Sequence, residues 1–90
     1  MLTLSEAKDV LRIDGTDNDA LIQSLLDTVP DYIEVTTGMS KENQETEPMV
    51  KTVAGFLLTL WYFSDSADDQ KLHRTIDNLL KCITLKVKRE

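Results

Sequence analysis

The segment 49–63 constrains the fold of this 90-residue chain more than any other, because the helix it predicts is apolar on nearly every side. A helix of this kind is typical of the centre of a bundle, and the segment is shorter than the roughly 18 residues of a membrane helix. A chain of this size has few helices with which to cover it. The sequence therefore predicts that part of this helix faces another subunit. Its apolar residues are Met49, Val50, Val53, Ala54, Phe56, Leu57, Leu58, Leu60, Trp61, Tyr62 and Phe63.

The rest of the chain predicts an all-α fold, a small bundle of about four helices in one domain over residues 1–90. Thr3 and Glu6 form a T-x-x-E capping box that begins a helix at about 3–13. A longer apolar stripe predicts a second helix at about 18–37, kinked at Pro30 because proline removes an amide donor. The third helix covers about 48–63 and the fourth about 69–83, with a polar loop over 39–47.

The C-terminal residues change period. From Ile83 to Arg89, apolar and polar residues alternate, which is typical of a strand. Residues 84–90 are therefore expected to form a short extended arm. Two interpretations of this arm remain open: a flexible terminus, or a segment that adds a strand to a neighbouring subunit.

The net charge of −6 is unevenly distributed along the chain. Residues 1–69 carry 14 acidic and 4 basic residues, whereas residues 70–90 carry 2 acidic and 6 basic residues. The overall acidity disfavours DNA binding, because contact with phosphates requires clustered Lys and Arg. The basic end is the only place where such contact could be made, and it is instead suited to pairing with acidic surface, on the same chain or on a neighbour.

The reactive side chains do not form a recognisable catalytic motif, since the sequence lacks G-x-S-x-G, H-E-x-x-H, Walker and G-x-G-x-x-G patterns. We therefore expect no enzymatic activity, no cofactor and no metal site. Asp27, Asp31 and Glu34 fall on one helix face, which we interpret as a solvent face. A magnesium-dependent nucleotide hydrolase, formed by dimerisation around this row, is the enzymatic alternative.

Candidate interface residues come from the apolar helix and from the C-terminal arm. Aromatic side chains often anchor interfaces, and the arm combines apolar and basic residues. The candidates for contact with another subunit or a partner are Phe56, Leu60, Trp61, Tyr62, Phe63, Leu85, Lys86, Val87, Lys88 and Arg89.

Residues 2–38 resemble the head-tail connector proteins of tailed bacteriophages, small adaptors that are also described as DNA-packaging proteins. The resemblance rests on caps and core positions, so it concerns a fold family and carries no active site. The matching residues are Leu4, Ala7, Leu11-Arg12-Ile13-Asp14, Asp19-Ala20-Leu21-Ile22, Leu25-Leu26, Tyr32-Ile33 and Thr37-Gly38.

The resemblance implies an all-α adaptor that assembles as a ring under the portal, extends the DNA channel and receives tail proteins. The expected partners are copies of the chain, the portal protein and tail-side completion proteins, in the virion and in the host cytoplasm during assembly. The resemblance makes Asp27, Asp31 and Glu34 candidates for an acidic channel wall that repels phosphate. DNA would then pass without sequence-specific binding, and no membrane is involved. The alternative is a small regulatory module that binds a host protein.

Overall fold

A computed structural model of the chain describes residues 2–63 and 69–89, apart from the side chains of Asp69 and Arg89. These residues form five α-helices and no strand, which confirms the predicted all-α fold. The segment 64–68, between the predicted third and fourth helices, lies outside the described residues. The helices are α1 (Leu4–Leu11), α2 (Asp19–Thr37), α3 (Lys41–Gln44), α4 (Pro48–Tyr62) and α5 (Asp69–Arg89).

Helix α1 begins with the predicted capping box. The Thr3 hydroxyl accepts a hydrogen bond from the Glu6 amide at 3.2 Å, and the Glu6 carboxylate accepts one from the Thr3 amide at 3.1 Å. These bonds satisfy two amides that have no partner within the helix. The helix ends at Leu11, because Arg12 turns into the left-handed region with φ 58°.

Helix α2 runs through Pro30 without interruption, so the predicted single helix is confirmed. It ends at Gly38, whose φ of 84° is a left-handed conformation that favours glycine. The Gly38 amide donates to the carbonyl of Glu34 at 2.8 Å and closes the last turn. The kink at Pro30 stays a prediction.

The segment between α2 and α4 contains more structure than the predicted loop. The Ser40 hydroxyl accepts a hydrogen bond from the Asn43 amide and caps α3. Gln44 is buried, and its amide nitrogen donates to the carbonyls of Pro30 and Met39, both at 3.0 Å. The bond to Pro30 fastens the segment to the middle of α2, and the bond to Met39 holds the segment's own backbone.

Helix α4 occupies the centre of the bundle and contributes to two hydrophobic clusters. The larger cluster includes Val53 and Leu57 of α4 with buried residues of α2 and α5. The smaller one includes Leu58 of α4 with buried residues of α1 and the first half of α2. The prediction of a central, nearly all-apolar helix is therefore confirmed for the part of α4 that packs in these clusters.

The predicted extended arm is wrong, because α5 continues as a helix to Arg89. Ile83 and Val87 are four residues apart, so they fall on the same helix face and extend its apolar stripe. Leu85 points away from that face and is 53% exposed. The alternation in the sequence therefore reflects one exposed leucine between two core-facing residues, and it does not mark a strand.

Candidate functional site

The aromatic residues at the end of α4 pack mainly within the chain. Trp61 meets Tyr32 of α2 edge to face, with ring centroids 5.4 Å apart. The Tyr62 hydroxyl accepts a hydrogen bond from the Asn18 side-chain amide at 2.7 Å, and its ring meets Phe63 at 5.0 Å. Phe63 is 42% exposed, whereas Trp61 and Tyr62 are half-buried. Their role as interface anchors stays a prediction.

Leu60 and Phe56, the other two candidates on this helix, lie in different surroundings. Leu60 belongs to the larger core cluster and is covered by side chains of its own chain. Phe56 is half-buried and lines an open groove of about 650 Å³ between α1, α4 and α5. The other residues that line the groove are Leu2, Val10, Pro48, Lys51, Thr52, Gly55, Thr59 and Leu72. The groove is therefore almost wholly apolar.

An ion pair closes one side of this groove. The Lys51 ammonium lies 2.8 Å from the Glu6 carboxylate and so links α4 to the first turn of α1. The hydrogen bond from Lys51, followed by the one from the Thr3 amide, lowers the pKa of Glu6 from 4.5 to about 2. The carboxylate therefore stays charged in mild acid, and the capping box stays intact with it.

The candidates at the end of α5 divide into residues used within the chain and residues open to solvent. The Lys86 ammonium lies 2.9 Å from both carboxylate oxygens of Glu47, just before α4. Val87 is half-buried against the core. Leu85 and Lys88 are exposed, and the Arg89 side chain lies outside the described residues.

The acidic row on α2 is exposed along its length. The Gln23 side chain donates to Asp27 at 2.9 Å, and Lys41 of α3 forms an ion pair with Asp31. The hydrogen bond to Asp31 raises the pKa of Lys41, and Glu34 adds to this effect by its charge. Among the residues that the structure describes, no three His, Cys, Asp or Glu side chains are placed to hold a metal ion.

Two exposed features were missed at the sequence level. Val35 follows the acidic row and is 85% exposed, more than any other large hydrophobic side chain among the described residues. Arg74 and Lys81 are exposed on the outer side of α5, and Lys88 continues the same row. The three basic residues are spaced seven apart in the sequence, which places them on one helix face. This spacing could have indicated a basic face only if the helix had been predicted to continue through residue 88.

A comparison with protein families finds a match over nearly the whole chain. The family model described as phage gp6-like head-tail connector protein matches residues 1–88. The chain belongs to this connector family. The match extends well beyond residues 2–38, so it includes α4 and α5 of the connector as well as the N-terminal helices. The comparisons with curated proteins and with solved structures found no significant match.

Membership places the connector among phage structural proteins that join the head to the tail. This family is a structural one without enzymatic activity, and its members are components of the virion that contact other head and tail proteins. Among the described helices of the connector, none is both long and apolar enough to cross a membrane.

Proposed function

We propose that this connector is a structural adaptor that forms a ring at the portal vertex, joins head to tail and extends the DNA channel. The observation that carries the proposal is the match to the head-tail connector family over residues 1–88. Its partners are further copies of the chain, the portal protein and the tail-side completion proteins. The subunit assembles in the host cytoplasm and then remains in the virion.

The surface of the subunit supports this proposal. A ring of identical subunits needs two different complementary surfaces on each copy. The chain offers an open apolar groove along α4 and exposed apolar side chains elsewhere, among them Leu21 and Phe63. The net charge of −6 favours passage of DNA over sequence-specific binding, because like charges repel.

The proposal is tested by mixing the purified chain with the portal protein of the same phage and measuring the masses of the assemblies. Native mass spectrometry should show a closed complex with several copies per portal ring, and electron microscopy should show them stacked coaxially under the portal. A chain that stays monomeric with portal and tail completion proteins present would refute the proposal. Binding to a host regulator without any binding to the portal would favour the regulatory alternative.

A further inference from the structure

Two helices of the subunit expose faces of opposite charge. The acidic face of α2 consists of Asp27, Asp31, Glu34 and Val35, and all four side chains are exposed. The basic face of α5 consists of Arg74, Lys81, Leu85 and Lys88, which are likewise exposed. Lys71 lies beside the basic face, and Asp77 lies at its edge.

Each face has one exposed aliphatic side chain with charged residues beside it, and these charges are acidic on α2 and basic on α5. On α2, Val35 is 85% exposed and follows Asp31 by four residues and Glu34 by one. On α5, Leu85 is 53% exposed, with Lys81 four residues before it and Lys88 three residues after it. Burial of an exposed aliphatic side chain in a contact is favourable, because it removes apolar surface from water. The acidic residues beside Val35 and the basic residues beside Leu85 attract each other in such a contact.

Among the described residues, no ion pair joins the acidic face to the basic face within one subunit. Helices α2 and α5 pack against each other and against α4 through their buried sides, which carry Ile33 on α2 and Ile76 and Ile83 on α5. The acidic and basic faces lie opposite these buried sides and are exposed to solvent. A contact between them therefore requires a second copy of the chain.

We propose that the acidic face of α2 docks onto the basic face of α5 in a second copy, where Val35 and Leu85 become buried. This inference rests on the proposed function, for which it names the subunit contact. Because the two faces differ, the contact is heterologous, and each copy still has one open face after pairing. Repetition of the contact generates a ring or a filament. The acidic face is then a subunit interface, rather than the channel wall that the sequence suggested.

The charges of the two faces contribute unequally to this contact. Lys41 of the same chain already forms an ion pair with Asp31, so Asp27 and Glu34 are the main acidic partners. Opposite charges at a contact set its orientation and its rate of formation more than its affinity, and salt weakens them. The assembly is therefore expected to be salt-sensitive, with Val35 and Leu85 contributing the component that salt does not weaken.

The test uses charge reversals on the full chain, with assembly followed by native mass spectrometry and sedimentation velocity. D27K/E34K makes both faces basic, and K81E/K88E makes both faces acidic. Each variant alone should need a concentration about tenfold higher for half-assembly, which corresponds to about 1.4 kcal/mol. An equimolar mixture should recover wild-type assembly, because each variant then presents a face that complements the other variant.

A matched control is D9K/E45K, which changes the net charge as D27K/E34K does but at exposed positions outside the two faces. Circular dichroism should show that all variants keep the helical content and the thermal unfolding of the wild type. The control should assemble normally. Loss of assembly in the control, or a mixture that fails to recover assembly, would overturn the inference.

The remaining outcomes separate this inference from the proposed function. Portal-bound rings that form equally well with D27K/E34K and K81E/K88E would overturn the inference and leave the adaptor function in place. Paired copies that respond to the reversals as expected, but never bind the portal, would support the inference and refute the adaptor function. If K81E/K88E loses only affinity for duplex DNA and assembles normally, the basic face is a DNA contact and the inference is wrong.

Discussion

Replacement of Gly55 by alanine should stabilise the subunit, although glycine at this position first suggests a close helix contact. Gly55 lies inside α4, where an added methyl group would meet nothing nearer than Val10 Cγ1, at 3.8 Å. That distance is an ordinary van der Waals contact, so the methyl group enters the open groove without displacing a neighbour. Alanine favours a helix over glycine by about 0.8–1.0 kcal/mol. We therefore expect Gly55→Ala to raise the free energy of unfolding by about 0.8 kcal/mol.

The assay is thermal and urea unfolding followed by circular dichroism, on a dilute sample in which the chain does not assemble. For a domain of this size, 1 kcal/mol shifts the melting temperature by about 4–8 °C, so the expected rise is easily measured. The matched control is Gly38→Ala, the same chemical change at φ 84°, where strain should cost about 1–2 kcal/mol. If Gly55→Ala destabilises the subunit, the reasoning from the open groove is refuted.

Three further substitutions test individual contacts. Glu6→Gln should weaken the dependence of unfolding stability on pH between about pH 4.5 and 2. The lowered pKa of Glu6 adds stability that is present above its unfolded value of 4.5 and is lost as pH falls towards about 2. An unchanged pH profile would contradict this. Gln44→Ala removes the donor to the Pro30 and Met39 carbonyls and should cost about 1–3 kcal/mol in urea unfolding; a wild-type midpoint would show that these bonds contribute nothing. Lys86→Met keeps the apolar part of the side chain but leaves Glu47 without its cation. We therefore expect the free energy of unfolding to fall by about 1 kcal/mol at low salt and by less at high salt. A fall that does not depend on salt would argue against the ion pair.

Local signals predicted most of the helix boundaries. The hydroxyl and carboxylate of Thr3 and Glu6 cap α1 through neighbouring residues, so the capping box could be identified from the sequence. Gly38 ends α2 and Pro48 begins α4 for equally local reasons. In each case the interaction that decides the boundary spans only a few residues.

Contacts between distant residues explain the two differences between prediction and structure. The alternation near the C-terminus fits a strand and a helix equally well until Lys86 is known to reach Glu47 and Val87 to pack on the core. The polar segment before α4 has no apolar period, yet Gln44 becomes buried because the backbone carbonyls of α2 and its C-terminal turn accept its hydrogen bonds. Such partners are not visible in a local pattern.

The candidate interface residues were chosen by residue type, and the structure shows that some are packed or paired within the chain while others are exposed. Leu60 and Lys86 are engaged within the chain, whereas Phe63, Leu85 and Lys88 remain open to contact. The basic face of α5 went unrecognised because the predicted arm ended the helix at residue 83. An error in secondary structure thus concealed a surface whose residues share a face only in a continuous helix.

Leu57 and Leu58 are neighbours in α4 that belong to different hydrophobic clusters, which has a consequence for how the subunit opens. Because α4 contributes to both clusters, we expect the amides in its middle turns to exchange with solvent only when the whole subunit unfolds. Helix α1 packs on the smaller cluster, so we expect it to detach while the larger cluster stays intact. We therefore expect the first helix to have a lower local stability than α4.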